Sequence, residues 1–229
     1  MEKTLRDFIP LEEGVYDPGI FKAVFLAGGP GSGKSFIVGK TGLTSMGYKV
    51  VNSDDAFEQS LKKAGMTMTP DDIFSVKGQE IRGKAKRLTA KKQERYLTGR
   101  LGIVVDGTGK DFQKISKQVR SVQALGYDTA MIFVNTDLET AVKRDQERSR
   151  TLGREEVTKM WKTVQSNIGA FQRMFGKPNM LIVDNSDGKN YEKETVRAYR
   201  DAMKFTKKPP QSQKAQNWIK QEKEKAKRT

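Results

Sequence analysis

The sequence predicts an α/β fold with three layers, in which a doubly wound, mostly parallel sheet of five strands is covered by helices on both faces. Two observations predict it. Five short apolar runs alternate with longer helical stretches, and the first run leads straight into a glycine-rich turn. Strands that are buried on both faces read as continuous apolar runs, so the pattern indicates parallel strands between helices.

The predicted strands are compact apolar runs, and the segments between them have helical periodicity and helix-start residues such as Thr69-Pro70. The strands are predicted at residues 21–27, 49–52, 102–106, 130–135 and 180–184. The helices are predicted at residues 35–46, 55–64, 70–98, 111–125, 138–150 and 154–175.

The chain is predicted to hold one catalytic domain, since 229 residues suit a single α/β domain with extensions. This domain spans 21–206 and includes an arginine-rich lid near 144–154. Residues 1–20 read as an irregular leader. Residues 207–229 read as a basic C-terminal tail, which is either a Lys-rich helix or disordered.

The composition limits the chemistry. The chain has no cysteine and no histidine, which excludes disulfides, thiolate or imidazole metal sites and a Ser-His-Asp triad. Carboxylates, Lys, Arg, hydroxyls and an oxygen-bound metal remain, and this inventory suits phosphoryl transfer. No run approaches the roughly 20 apolar residues of a membrane span. We therefore expect no membrane partner and a cytoplasmic protein, in the host cytoplasm if a phage encodes it.

The net charge of +15 is concentrated in two segments, 77–100 and 203–229, each with nine basic and two acidic residues. Basic clusters attract polyanions, chiefly nucleic acid, through the release of counterions. Two solvated helical faces would explain the same charge without any ligand. The charge therefore favours a nucleic-acid partner but does not identify a substrate.

The turn after the first strand has the pattern of a phosphate-binding loop, G-x-x-x-x-G-K-[ST]. Its residues are Gly28, Gly29, Pro30, Gly31, Ser32, Gly33, Lys34 and Ser35. Glycines let backbone N–H groups surround a β-phosphate, and the following helix N-terminus adds positive potential. We expect Lys34 to reach the β and γ oxygens of ATP, and the Ser35 hydroxyl to bind Mg²⁺.

A carboxylate pair, Asp54-Asp55, follows the second predicted strand. The carboxyl edge of the sheet is where ligands bind in open α/β folds. Either Asp54 or Asp55 could orient and deprotonate an acceptor hydroxyl, while an Asp here could also cap the next helix. We favour Asp54 as the base and Asp55 as the cap.

The third predicted strand ends in Asp106, as in a Walker B strand. Its carboxylate could hold a magnesium-bound water or the acceptor. No Glu follows Asp106, which favours transfer to a bound acceptor over hydrolysis. A turn-forming Asp-Gly, here Asp106-Gly107, is the alternative reading.

Residues 138–154 carry four arginines, Arg144, Arg148, Arg150 and Arg154. Arg144 and Arg148 are four residues apart and share a helical face. Such a group could clamp phosphates and neutralise charge that develops on the transferred group. The interleaved acidic residues also fit an exposed helix of mixed charge.

The order GGPGSGKS, NSDD, VVDGT and VKRDQERSR resembles the zeta-toxin and polynucleotide-kinase group of P-loop kinases, over about residues 21–184. The resemblance implies a P-loop NTPase fold of the kinase type, with ATP and Mg²⁺ as cofactors. Phage kinases that act on hydroxymethylated bases in DNA are similar at the same motifs. Residues 57–100 match none of these relatives closely enough to carry substrate contacts across.

The resemblance also implies roles for single residues. By likeness to the kinase domain of phage polynucleotide kinase, Asp54 is the base and Asp106 contacts the acceptor. Arg148 is then the lid arginine on the transferred phosphate, and Arg144 supports it. Leu152-Gly153-Arg154 resembles zeta toxins, which phosphorylate a nucleotide sugar, and this likeness implies that Arg154 lies near the nucleotide.

The sequence therefore predicts an ATP-dependent kinase whose acceptor is a hydroxyl of nucleic acid, either a 5′ end or a modified base. One alternative is a kinase of a nucleotide sugar or another small molecule. Another is a nucleic-acid-binding protein that uses a nucleotide as a switch, without kinase activity.

Overall fold

The computed structural model describes residues 14–147 and 151–228. Its five-stranded sheet has the order β2-β3-β1-β4-β5, and every strand pair is parallel. The strands are β1 Lys22–Ala27, β2 Lys49–Val51, β3 Ile103–Val105, β4 Asp128–Asn135 and β5 Met180–Asp184. The predicted five-stranded α/β fold is confirmed, with a sheet that is parallel throughout.

The helices lie on both faces of this sheet. They are α1 Lys34–Thr41, α2 Ser53–Lys63, α3 Pro70–Phe74, α4 Val76–Thr98, α5 Phe112–Ala124, α6 Leu138–Gln146, α7 Arg154–Ser166, α8 Ile168–Phe175, α9 Tyr191–Lys207 and α10 Gln213–Ala226. None of the helices in the described residues is both long and apolar enough to cross a membrane.

Each face of the sheet has its own apolar core, because successive residues of β1 point to opposite sides. Phe25 belongs to a core cluster with residues of α5, α8 and α10, whereas Val24 belongs to another with residues of α1 and α9. Phe57 and Ile73 belong to a third, smaller cluster, which joins α2, α3 and α4. The segment between β2 and β3 is therefore a helical unit with a core of its own.

Two of the predicted helices are each divided in the structure. Ser75 interrupts the predicted helix 70–98: its extended backbone (ψ 157°) ends α3, and its side chain accepts a hydrogen bond from Gly78 N to start α4. Asn167 separates α7 from α8 within 154–175. The predicted helix 35–46 ends at Thr41, because Gly42 adopts the left-handed conformation.

Two terminal regions have more structure than expected. No helix was predicted at α9, which packs on α1 and β5. Within the basic tail, α10 is a helix whose Ala215 is fully buried and whose Trp218 packs against the core. The part of the leader at 14–20 forms turns, and Ile20 is buried in the same core. Residues 1–13 of the predicted leader lie outside the described residues.

The parallel register brings the carboxyl ends of all five strands to one edge. Val24 pairs with Val104 and Ala130, and Val134 pairs with Val183. This edge, here called the carboxyl edge, therefore holds the residues that follow each strand. They are Gly28, Asn52, Asp106, Thr136 and Asn185.

Candidate functional site

The phosphate loop lies between β1 and α1, and its glycines are required by both conformation and space. Gly31 (φ 70°) and Gly33 (φ 78°) are left-handed. A Cβ on Gly31 would lie 2.6 Å from Ala141 O, and one on Gly33 would lie 2.4 Å from Asn185 Nδ2. No residue with a side chain fits either position without a shift of the loop.

The start of α1 offers backbone donors to this loop. Gly33 is the N-cap of α1, and no side chain caps the helix. The first N–H groups of a helix have no partners within it and attract anions. Lys34 lies at this start and donates from Nζ to Gly28 O at 2.8 Å, while Ser35 is exposed in the first turn. The predicted loop residues are thus brought together in an arrangement that suits an anion.

Residues from distant parts of the chain hold the loop. Asn185, which follows β5, donates from Nδ2 to Ser32 O at 2.9 Å, and its backbone N donates to Asn135 O at 2.8 Å. Arg144 of α6 donates to Gly31 O at 3.3 Å. Asn185 is buried, so its amide positions the loop from the protein interior.

Asn52 organises the acidic residues beside the loop. Its Oδ1 accepts from Asp54 N at 2.8 Å and caps α2. Its Nδ2 donates to Asp55 Oδ1 and to Asp106 Oδ2, both at 3.1 Å. The prediction that Asp55 caps α2 was wrong. The helix begins at Ser53, and Asn52 is its N-cap. Asp54 and Asp55 lie together in the first turn of α2.

Burial and neighbouring charges shift two of these carboxyl groups. Burial raises the pKa of Asp106 above its ordinary value; Lys34 lowers it, and Asp54 and Asp55 raise it further. Burial also raises the pKa of Asp55, as does the charge of Asp54. These interactions place Lys34, Asp54 and Asp55 within electrostatic reach of Asp106. Asp106 Oδ1 is buried without a hydrogen-bond partner among the described residues.

The predicted arginines differ in their surroundings. Arg144 forms an ion pair with Asp187 at 2.8 Å, in addition to its contact with the loop. Arg154 forms two hydrogen bonds with Glu139, at 3.1 and 2.5 Å, on an exposed surface. Arg148, the expected lid arginine, and Arg150 lie outside the described residues.

A cleft of about 550 Å³ opens beside the phosphate loop. Phe36 and Tyr191 are half exposed on its wall, with ring centroids 6.2 Å apart. The lining residues are Gly33, Phe36, Lys40, Arg144, Asn185, Ser186, Asp187, Gly188, Lys189 and Tyr191. The cleft therefore joins the loop to a surface of aromatic and basic side chains, which suits a planar, anionic ligand.

Sequence reasoning missed Asn52, Asn185 and Asp187 as functional residues. Asn52 is the last residue of the second predicted strand, and Asn185 comes directly after the fifth. Both positions lie at the carboxyl edge, beside the phosphate loop, once the strands are parallel. Polar residues at strand ends were therefore a usable signal. The pairing of Asp187 with Arg144 depends on tertiary structure and had no signal in the sequence.

Comparison with known families and structures bears on this site. A family model described as an AAA domain, AAA_33, matches residues 24–169, which include the phosphate loop, Asp54, Asp106 and Arg144. No curated protein matches the sequence.

Solved structures share the fold. The chain is similar to AvrRxo1-ORF1:AvrRxo1-ORF2 with sulphate ions (TM-score 0.55, 15% identity, 75% of this chain) and to the same complex with ATP (TM-score 0.55, 18% identity, 75% of this chain). It spans 59% of the length of those chains. It is also similar to the PezAT chromosomal toxin-antitoxin system of Streptococcus pneumoniae (TM-score 0.53, 13% identity, 81% of this chain and 87% of that chain). These likenesses confirm the P-loop kinase-like fold class.

Proposed function

Because the chain belongs to the AAA domain family AAA_33, we propose that it is an ATP-dependent kinase that transfers the γ-phosphoryl group to a hydroxyl of nucleic acid. The observation that carries this proposal is the meeting of a phosphate loop and a carboxylate cluster at one edge of the sheet. Asn52 Nδ2 donates to both Asp55 and Asp106, and the charge of Lys34 lowers the pKa of Asp106. A phosphoryl donor and a proton acceptor are then neighbours.

The residues present fit both expected cofactors. The crowded loop at Gly31 and Gly33, together with the uncapped N-terminus of α1, fits the phosphates of ATP. The exposed hydroxyl of Ser35 and the unpartnered Asp106 Oδ1 are oxygen donors of the kind that Mg²⁺ binds directly or through water. A Mg²⁺ ion held there would neutralise charge on the phosphates of ATP.

The protein side chains have separate tasks in the transfer. The acceptor oxygen forms a bond to the γ-phosphorus, and the bond from this phosphorus to the β–γ bridging oxygen breaks, which leaves ADP. Asp54 takes the proton of the acceptor hydroxyl. Lys34 stabilises charge on the phosphate oxygens, and Arg144, which contacts Gly31 O, adds positive charge at the loop. We propose that Arg148 binds the transferred phosphate and that Arg154 binds the nucleotide.

The substrate assignment is supported by charge. The helical unit between β2 and β3 has Asp54 in its first turn and continues into α4, which carries eight basic and two acidic residues. A polyanionic acceptor would therefore meet positive potential beside the proposed base. This favours the acceptors of the polynucleotide-kinase group, a 5′-hydroxyl end or a hydroxymethylated base.

The test is a transfer assay with γ-labelled ATP and Mg²⁺. The acceptors are 5′-hydroxyl DNA and RNA, duplex DNA with hydroxymethyluracil, and UDP-N-acetylglucosamine. We expect label on a nucleic acid and none with the Asp54→Asn variant. Label on the sugar nucleotide alone would overturn the nucleic-acid assignment in favour of a small-molecule kinase. ATP-dependent nucleic-acid binding without transfer to any acceptor would instead support a nucleotide switch.

A further inference from the structure

The two basic segments, far apart in sequence, meet at Phe21 in the structure. Arg100, just beyond the end of α4, has its Cζ 5.8 Å from the centroid of the Phe21 ring. Trp218 of α10 packs edge-on against the same ring, with centroids 5.5 Å apart. Phe21 precedes β1, so this junction lies at the edge of the sheet opposite the phosphate loop.

The other end of α4 lies at the acceptor side of the site. Arg82 of α4 has its Cζ 4.7 Å from the centroid of the Phe57 ring, and Phe57 lies one turn after Asp54 in α2. The 23 residues of α4 span about 34 Å at the helical rise per residue. The helix α4 therefore connects the proposed base with the Phe21 junction.

The outward surface of α4 carries cations without acidic partners. Lys77, Lys84 and Lys91 are seven residues apart and share one helical face, which Arg95 extends. All four are exposed, and none forms an ion pair within the described parts of the chain. Neighbouring lysines on this face are about 10 Å apart, so they form a row of positive charge and not one focus.

The helix α10 carries a second set of exposed cations, beyond the Phe21 junction. Ala215, Trp218 and Ile219 face the core. Lys220 and Lys223 are exposed, and Nζ of Lys223 lies 5.4 Å from the centroid of the Tyr16 ring. The aromatic residues of the basic segments face inward, since Trp218 and Tyr96 both pack against the core. The basic segments therefore offer their charges, and not their own rings, to a phosphate backbone.

We propose that α4 and α10 form one continuous track that binds the phosphate backbone of nucleic acid and leads it to Asp54. The inference rests on the proposed function and adds to it the path and the length of the substrate. At about 3.4 Å per base pair, the 34 Å of α4 corresponds to about 10 base pairs. A duplex longer than this reaches α10, whereas a shorter one occupies only α4.

The test compares two matched double variants. Lys220→Gln/Lys223→Gln neutralises the track at α10, and Lys114→Gln/Lys117→Gln neutralises an exposed pair with the same spacing on α5. Hairpin DNAs with 5′-hydroxyl ends and stems of about 6 and 24 base pairs lie on either side of the length limit. Affinity is measured by fluorescence anisotropy at several salt concentrations, and transfer is measured with labelled ATP.

We expect the α10 variant to bind the long hairpin roughly tenfold more weakly and to have a higher KM for this hairpin. The slope of its log affinity against log salt concentration should be smaller in magnitude by about two. The short hairpin serves as an internal test of folding and should be unaffected. The α5 variant should match the wild type with both hairpins. Equal affinity of the α10 variant and the wild type for the long hairpin would overturn the track, as would an equal loss for both hairpins.

The failure of the proposed function is a separate outcome. If the wild type transferred no phosphate to either hairpin, but its binding still depended on length and on Lys220 and Lys223, the kinase assignment would fail and the binding track would stand. If transfer occurred equally well with both hairpins and with both variants, the kinase assignment would stand and the track would fail.

Discussion

At the scale of single residues, the site depends on how a predictable loop meets residues that only tertiary structure brings near. The loop from Gly28 to Ser35 could be predicted because its spacing is local. Asp54 and Asp106 could be placed because parallel strands end at one edge. The contact of Asn185 with the loop and that of Asp187 with Arg144 could not be predicted from the sequence. Both depend on how β5, α9 and α1 pack together.

Gly33 allows a test of the loop geometry with a matched control in the same region. Gly33→Ala adds a Cβ 2.4 Å from Asn185 Nδ2 at a left-handed position, which costs roughly 1–2 kcal/mol for the backbone alone. Gly39→Ala lies in α1 with no atom near the added Cβ, and it should stabilise the protein by roughly 0.5–1 kcal/mol. Calorimetric titration with ATP should show at least a tenfold loss for Gly33→Ala only. Unchanged ATP affinity in that variant would contradict the described loop.

The raised pKa of Asp106 predicts that the stability of the protein depends on pH. Burial raises the pKa of Asp106 in the folded protein, so the folded state binds its proton more readily than the unfolded state. The stability that this group contributes therefore rises as pH falls from the folded pKa towards the ordinary value, and it is lowest at neutral pH. Asp106→Asn should be more stable than the wild type at pH 7, by an amount on the order of 1 kcal/mol.

This gain should shrink as the pH approaches 4, because the wild-type carboxyl group becomes neutral as well. Thermal unfolding of both proteins across this range measures the difference directly and cancels the titration of other groups. A constant difference at all pH values would mean that the pKa of Asp106 is not raised.

At the scale of elements, the strands were predictable and the helix ends were less so. Short apolar runs located all five strands, because burial on both faces leaves few polar residues in them. The breaks at Ser75 and Asn167 escaped prediction, since neither residue is a strong helix breaker and local capping and packing decide there. The sequence did not decide whether residues 207–229 form a helix or are disordered. The many lysines there mask the apolar pattern of Ala215 and Trp218, which contact the core in α10.

Because α10 packs against the core, substitutions of the core-facing residues in this C-terminal segment should lower the stability of the protein. Trp218→Ala removes a partly buried ring that packs against Phe21. Truncation of a fully buried tryptophan lowers the free energy of unfolding by roughly 3–5 kcal/mol. Because Trp218 is only partly buried, we expect a loss of about 2–3 kcal/mol. The neighbouring exposed Asn217→Ala should change it by no more than about 0.5 kcal/mol. Denaturant titration that found both variants equally stable would show that α10 does not contribute to the core.

At the scale of the whole molecule, the two proposals place function at opposite edges of the sheet. The carboxyl edge holds the phosphate loop and the carboxylates, and the opposite edge holds the Phe21 junction of the two basic segments. The sequence showed that both segments are basic, but not that they adjoin. That arrangement follows from the strand order β2-β3-β1-β4-β5 and from the docking of α10, neither of which local patterns specify.

In the proposed reaction the loop binds ATP, and Asp54 accepts the proton of the hydroxyl that attacks the γ-phosphorus. The most direct measurement compares kcat and ATP affinity of the wild type, Asp54→Asn and Asp55→Asn with the preferred acceptor. We predict that Asp54→Asn lowers kcat by roughly 10²–10⁴-fold with ATP affinity nearly unchanged, whereas Asp55→Asn retains most of the activity. Full turnover by Asp54→Asn would contradict the claim.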